Sequence, residues 1–479
     1  MDKAQANIAL ATRCQEDPEF FCREILGCEP WGTQVRIMES VRDNRATAVP
    51  SCHSSGKSWV AARIVLWFLY SFPGAKVITT APTDRQIRGI LWGEIHQARS
   101  RAKVELGGYP TVQRIEIDEN WWAWGFTAPD YDPNRFQGFH APHILVVVDE
   151  AAGISAALSN QIDSILSGGH ARKLEIGNPV LAGGSFESSC SSPMVNTIHI
   201  SSFDTPNFTH FGITEQDMVN GTWEEKVNGS EMPNDHLISP IWVAERLAIW
   251  GHESEAWKSR VLGEFPDIVE GAYYAKEMKA AQDEYRIGEF PWDANAPVIT
   301  SWDIGVRDST AIWFAQWQGP WLTMIDYFED VDQGIQYYAK VLQDRGYHFS
   351  THHAPPDMAQ REFGSDGNTR EAIARKLGIN FRINERLKVR LGSELNEGID
   401  RVRRLLPKTR FNEATTKDGV AALRNYRRVI STKTGEIKSQ PVHDWASHGA
   451  DSFRYMAVGL AGRAPVKVER PPVPTSWVV

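Results

Sequence analysis

Two patterns of apolar positions divide this chain. In the first, short strand-like runs at 46–49, 75–80, 144–148 and 173–176 alternate with longer segments at 59–72 and 84–102, whose length and composition predict helices. Such alternation predicts a parallel sheet wrapped by helices, with ligands gathered at the carboxyl ends of the strands. In the second pattern, three strand-like runs follow one another directly at 298–305, 309–318 and 321–328, then come a helix over 333–345 and a further run at 348–353. A closing helix is predicted from about 442 to 460.

Punctuation sets the boundaries between these patterns. Residues 1–30 read as a helical preface and 31–266 hold the alternating unit. Residues 267–297 contain Gly271, Gly288, Pro291 and Pro297 without periodicity and read as a connector. The second unit spans 298–463, and 464–479, with four prolines, reads as a flexible tail. No internal repeat is present. A length of 479 residues exceeds one ordinary domain, and 42% hydrophobic with 23% charged residues is a globular composition.

The apolar run at 59–72 contains Arg63 and is too short to span a bilayer, while the first ten residues are too polar for a signal peptide. Five cysteines without a CxxC pair argue against a disulfide framework and for a reducing cytoplasm.

Chemistry enters at Ser51-Cys52-His53-Ser54-Ser55-Gly56-Lys57-Ser58, set between a predicted strand and a predicted helix. That context predicts a phosphate-binding loop: the backbone N–H groups of Ser54, Ser55 and Gly56 turn toward phosphate oxygens, Lys57 reaches the outer phosphates and Ser58 holds Mg²⁺. Ser51 stands where such loops usually begin with glycine. The run 144–148 ends in Asp149 and Glu150, so a buried strand delivers Asp149 to the Mg²⁺ shell and Glu150 to the attacking water. Asn178, at the tip of the next strand, is placed to sense the γ-phosphate, and Gln34 with Trp31 to read the adenine edge. Arg135, acting on a neighbouring subunit, and Arg85 are the candidates for an arginine finger.

In the second unit, three antiparallel strands, a helix and a fourth strand follow the order of the ribonuclease H-like fold. Catalysis on that fold relies on carboxylates collected from separated elements. Asp303, Asp357 and Asp451, with Asp444 as a further candidate, are the acids placed to bind two Mg²⁺ or Mn²⁺ ions for phosphodiester cleavage. Net charge is −9, yet residues 382–438 carry fifteen Lys/Arg against seven Asp/Glu. That local excess suits a surface that tracks a phosphate backbone.

Taken together, residues 51–58, 80–86, 146–150, 177–179, 301–305 and 447–455 resemble, in order and spacing, the large terminase subunit of tailed double-stranded DNA bacteriophages. The resemblance implies an α/β fold in two parts: a P-loop ATPase domain of the ASCE/RecA-like kind, then a ribonuclease H-like nuclease domain. It implies an ATP-driven motor that moves double-stranded DNA into a procapsid and an endonuclease that cuts concatemers. Implied partners are the portal protein, a small terminase subunit and further copies of the chain in a ring, with a monomer in solution. The implied setting is the host cytoplasm, transiently on the procapsid, with no membrane and no place in the mature virion. By the same resemblance Asn178 couples hydrolysis to movement. One departure is His53, where many such subunits carry arginine. A helicase-like translocase or a DNA-repair nuclease-ATPase outside packaging is the alternative.

Overall fold

The computed structural model describes residues 3–127, 141–305, 309–331, 333–355, 358, 369–383, 393–430 and 437–460. The first sheet is built from β1 (Ala46–Pro50), β2 (Lys76–Thr80), β3 (Tyr109–Thr111), β4 (Arg114–Asp118), β5 (Trp121–Gly125), β6 (His143–Asp149), β7 (His170–Gly177) and β8 (Asn196–Thr197). Their spatial order is β3-β4-β5-β2-β6-β7-β1-β8. All neighbours from β5 to β8 are parallel, and the hairpins β3-β4 and β4-β5 add an antiparallel edge. β7 separates the loop-bearing β1 from the acid-tipped β6, and the register places Val49, Ile176 and Asp149 in one row. Three strand ends therefore open on one edge.

The helix Lys57–Ser71 lies against one face of this sheet and is buried on nearly every side. The buried cation in the middle of this helix, Arg63, is neutralised by Glu94 at 2.7 Å and lies over the Trp59 ring. That pairing lets a charge sit within an otherwise apolar helix. The preface is helical, and the carbonyl of Cys14 accepts from Trp67 Nε1 at 2.7 Å, fastening the helix Lys3–Glu16 to the helix after the loop.

The second sheet contains β9 (Ile287–Gly288), β10 (Val298–Asp303), β11 (Thr310–Gln318), β12 (Trp321–Asp330), β13 (Phe349–Ala354), β14 (Phe381–Ile383) and β15 (Thr409–Asn412), in the order β14-β13-β10-β11-β12-β15-β9. β10, β11 and β12 are mutually antiparallel, and β13 joins β10 in parallel. This is the ribonuclease H-like order. One face carries the helices Glu413–Asn425 and Trp445–Leu460, packed around Trp313, Tyr327 and Phe453. A two-stranded ribbon, β16 (Arg428–Ile430) and β17 (Ile437–Pro441), stands beside them.

Residues 267–297 differ from the expected connector. They hold the helix Ala275–Asp283, which buries Met278 and Ala281, and β9, which pairs with β15. Tyr273 and Tyr274 belong to the same core. The glycines and prolines around that short helix conceal its period in the sequence. Between the two sheets, Leu181, Ala182 and Val269 pack on Ala421, Ala422, Trp445 and Ala446. Among the described residues no helix is long and apolar enough to cross a membrane.

Candidate active sites

The first site is built where β1, β6 and β7 end. After β1 the chain turns through Ser54 (φ +48) and Gly56 (φ +79) before the helix Lys57–Ser71 begins. Glycine is needed at 56, where a Cβ would lie 2.6 Å from Gln34 Nε2. The loop is braced from outside: Ser51 N–H donates to the Gly177 carbonyl (3.0 Å), Cys52 N–H to Ile200 (2.9 Å), and His53 N–H to Arg260 (2.9 Å).

Inside it, Lys57 Nζ donates to Asn178 Oδ1 at 3.0 Å and lies 3.8 Å from Glu150 Oε1. Asn178 Nδ2 donates to the Ser51 carbonyl at 2.6 Å, and Ser58 Oγ donates to Asp149 Oδ2 at 3.3 Å. Glu150 is held on left-handed backbone (φ +51), its N–H donated to Asp149 Oδ1 at 2.9 Å. Such a conformation in a non-glycine residue stores about 1–3 kcal/mol, which the flanking structure must hold in place.

The electrostatics ask for a cation. Burial, then repulsion from Glu150, pushes the Asp149 carboxyl up to about 6. A divalent ion bound there would reverse that cost. Among the described residues the buried hydroxyls of Ser55 and Thr80 have no partner, so the loop and the end of β2 keep polar groups for a ligand.

The second site lies where β10 meets the helix Trp445–Leu460. Ser301 Oγ donates to the Ser452 carbonyl at 2.6 Å and Ser452 Oγ to the Ser301 carbonyl at 2.7 Å, which fixes strand and helix in one register. His448 and Asp451, three residues apart on that helix, share a face. His448 Nδ1 lies 3.3 Å from Asp303 Oδ2. Asp451 Oδ1 accepts from Tyr426 OH (3.2 Å) and from Arg454 Nε (3.1 Å) and Nη2 (3.0 Å). Burial raises the Asp303 carboxyl; the His448 hydrogen bond opposes this, and the Asp451 charge adds to it. Two acids so placed suit hard cations with oxygen ligands. Among the described residues no set of three His, Cys, Asp or Glu side chains is grouped to hold a metal, and Asp357 lies outside the described residues.

No family model matches the chain. Over 260 residues it is 28% identical to the "Probable terminase, large subunit" of Enterobacteria phage P7, a match covering 52% of this chain and 48% of that protein. The chain is similar to a phage large terminase subunit. It spans about half the length of that curated relative. A large terminase from a thermophilic bacteriophage aligns over 90% of this chain and 99% of its own, at 15% identity and a TM-score of 0.36. The cobalt-bound large terminase nuclease of thermophilic phage G20c aligns over 40% and 97%, at 12% identity and a TM-score of 0.28.

Lys57, Ser58, Asp149, Glu150 and Asn178 come together, as do Asp303 and Asp451. Other residues have different tasks from those expected. Gln34 is buried with its amide already engaged: Oε1 accepts from Trp31 N–H at 3.2 Å and Nε2 donates to the Gly56 carbonyl at 3.2 Å. It buttresses the loop, with one bonding position at each end of the amide already committed to that task. Asp444 caps the helix Trp445–Leu460, Oδ1 accepting from Ala446 N–H at 3.1 Å, and its other oxygen pairs with Arg427 at 2.8 Å. Those contacts give each oxygen of Asp444 a structural partner.

Arg85 is exposed after β2, and Arg135 lies outside the described residues. The His53 ring stacks on Trp242 with centroids 6.0 Å apart, and burial with the nearby Lys57 and Arg260 charges lowers it to about 4. It is neutral near pH 7 and supplies no positive charge. Several cations of the basic stretch are committed within the fold: Arg403 donates to the Tyr273 carbonyl, Arg410 to Thr323 and Gln318, and Arg424 to Gln282.

Tyr426 and Arg454 were not foreseen as partners of Asp451. The three-residue spacing of Asp451 and Arg454 on one helix was the available signal for the arginine. Tyr426 reaches the site only through tertiary packing, so no local pattern reports it.

Proposed function

We propose that this chain is the large subunit of a DNA-packaging terminase: it hydrolyses ATP to move double-stranded DNA into a procapsid, and it cuts concatemeric DNA. The observation that carries the reading is the presence in one chain of a nucleotide loop whose Lys57 meets both Asn178 and Glu150, and of an acid pair, Asp303 and Asp451, locked in register by Ser301 and Ser452. Lys57 with the loop N–H groups would bind the phosphates, Ser58 and Asp149 would hold Mg²⁺, and Glu150 would orient water. Asn178, hydrogen-bonded to Lys57, would register the γ-phosphate and couple its loss to movement.

Asp303 and Asp451, joined by Asp357, would hold two Mg²⁺ or Mn²⁺ ions, which when bound supply Lewis-acid stabilisation of phosphodiester cleavage. His448 and Arg454 orient the two described carboxylates. The resemblance supports a portal protein and a small terminase subunit as partners, a ring of copies during packaging, and action in the host cytoplasm.

An ATPase assay beside a plasmid-cleavage assay with Mg²⁺ or Mn²⁺ tests this reading. Asp303→Ala should abolish cleavage and leave ATP hydrolysis intact, and Glu150→Ala should do the reverse. One substitution removing both activities from a folded chain would overturn the two-site assignment.

A further inference from the structure

A continuous chain of contacts runs from Lys57 to Asp451. Asn178 joins the Lys57 ammonium to the Ser51 carbonyl, and the backbone turns immediately after it, with Val180 N–H donating to the Asn178 carbonyl at 2.9 Å. The next two residues, Leu181 and Ala182, are buried against Ala421, Ala422, Trp445 and Ala446, which belong to the two helices of the second unit. Asn425, the fully buried last residue of the helix Glu413–Asn425, grips Ala182 from both sides: Oδ1 accepts from Ala182 N–H at 3.1 Å and Nδ2 donates to the Ala182 carbonyl. The same Nδ2 donates to Ala421 at 2.7 Å, so the amide cannot rotate without losing several bonds.

The following residue, Tyr426, is almost wholly buried. Its ring packs against both Tyr273 and Tyr274, whose rings also meet each other, its carbonyl accepts from Tyr273 N–H at 2.8 Å, and its hydroxyl donates to Asp451 Oδ1. Trp445, which opens the helix carrying Asp451, is 3.7 Å from a Cβ placed on Gly184, two residues beyond Ala182. The segment after Asn178 therefore bears on the Asp451 carboxylate through Asn425 and Tyr426, and on its helix through Trp445.

We propose that Asn425 and Tyr426 are positioning residues that couple the nucleotide site to the nuclease carboxylate, so that the nucleotide bound at Lys57 sets the orientation of Asp451. This rests on the two-site reading above. A phosphate bound to Lys57 competes with Asn178 Oδ1 for the ammonium, and Asn178 then has a second position available. Its backbone is four residues from the Asn425 clamp, and packed elements of this kind shift between discrete arrangements and do not bend gradually. Coupling of this sort is reciprocal: a change at Asp451 must alter nucleotide affinity by the factor with which nucleotide alters the nuclease site.

The test is a thermodynamic cycle on the full chain, with ADP titrated calorimetrically into the wild type, Asp451→Asn, Asn425→Ala and the double variant. Asp451→Asn should change ADP affinity about fivefold in the wild-type background and less than about twofold once Asn425 is alanine. In parallel, saturating ADP should change the rate of Mn²⁺-dependent plasmid cleavage by the wild type, and Asn425→Ala should remove that dependence. Tyr426→Phe keeps the buried ring and loses only the hydroxyl, so it serves as the second link variant and should weaken the coupling even where Asn425→Ala fails to fold. Equal effects of Asp451→Asn in every background, with ATPase and cleavage both present, would overturn the coupling and leave the two-site reading standing. A chain that binds no ADP would overturn the ATPase reading and the coupling with it.

Discussion

Ser301 on β10 and Ser452 on the closing helix exchange two hydrogen bonds, each hydroxyl donating to the other residue's carbonyl at 2.6 and 2.7 Å. Both residues are fully buried, so losing either hydroxyl removes a hydrogen bond that solvent does not replace. Ser301→Ala and Ser452→Ala should each destabilise the chain by about 0.5–1.5 kcal/mol in chemical denaturation, and the double variant by less than their sum. Because Asp303 and Asp451 lie close along the chain to these serines, cleavage should fall in both variants while ATP hydrolysis stays at the wild-type rate.

Asn178 serves Lys57 and Ser51 at once, accepting from the first and donating to the second. Asn178→Asp keeps an acceptor for Lys57 but loses the donor, setting a carboxylate against the Ser51 carbonyl at hydrogen-bond distance. Its added charge would also repel a γ-phosphate held by Lys57. ATP turnover should drop by about tenfold or more, a loss of more than about 1.4 kcal/mol in transition-state stabilisation. Steady-state hydrolysis measured beside ADP binding checks this, since binding should suffer less than turnover.

Gly419 sits within the helix Glu413–Asn425, where replacing glycine by alanine ordinarily gains about 1 kcal/mol. Here the added Cβ would lie 2.7 Å from Tyr327 Cδ2 and press into the Trp313 ring. Both aromatic residues are buried, so neither can swing away without a cost of about 1–3 kcal/mol or more. Overpacking outweighs propensity, and Gly419→Ala should lower the melting temperature.

How far these features can be read from sequence depends on whether their causes are local. The phosphate loop, the acid tips Asp149-Glu150 and Asp303, and the strand order of the second unit announce themselves through periodicity and spacing over a few residues. Lys57 meeting Asn178 follows from adjacent parallel strands ending together. The tasks of Gln34 and Asp444 depend on which oxygen or nitrogen is already engaged, and spacing carries no such information. The helix Ala275–Asp283 escapes notice because nine residues between glycine- and proline-bearing turns give too few periods to register. Asn425 and Tyr426 lie in a basic stretch and carry no local signal of their own until the fold brings Ala182 and Asp451 to them.

His53 is neutral in the folded chain, lowered to about 4 by burial and by Lys57 and Arg260, while an unfolded histidine titrates near 6.5. Between these values the unfolded chain binds the extra proton and the folded chain does not, so acidification favours unfolding. The contribution is fully present above about pH 6.5 and is lost as pH falls toward about 4. His170 and His352 are lowered to about 4 as well, so three rings act in the same direction. Stability measured against pH should fall through this window, and His53→Gln should make that fall shallower. An unchanged slope in the variant would place the acid sensitivity elsewhere.

Asp444 offers the sharpest separation of a structural acid from a metal-binding one. Its carboxylate caps the helix that carries His448 and Asp451 and pairs with Arg427. Asparagine caps as well as aspartate, whereas alanine does not. Asp444→Asn should therefore retain stability to within the small worth of a partly exposed ion pair and keep cleavage near the wild-type rate, since no metal contact is lost. Asp444→Ala should cost about 1 kcal/mol through the lost cap and lower cleavage only as far as the helix start frays. A ligand to a nuclease cation would behave otherwise: both variants would lose cleavage by orders of magnitude, and extra Mn²⁺ would recover part of it. Comparing cleavage across a Mn²⁺ titration for the two variants decides between a cap and a ligand.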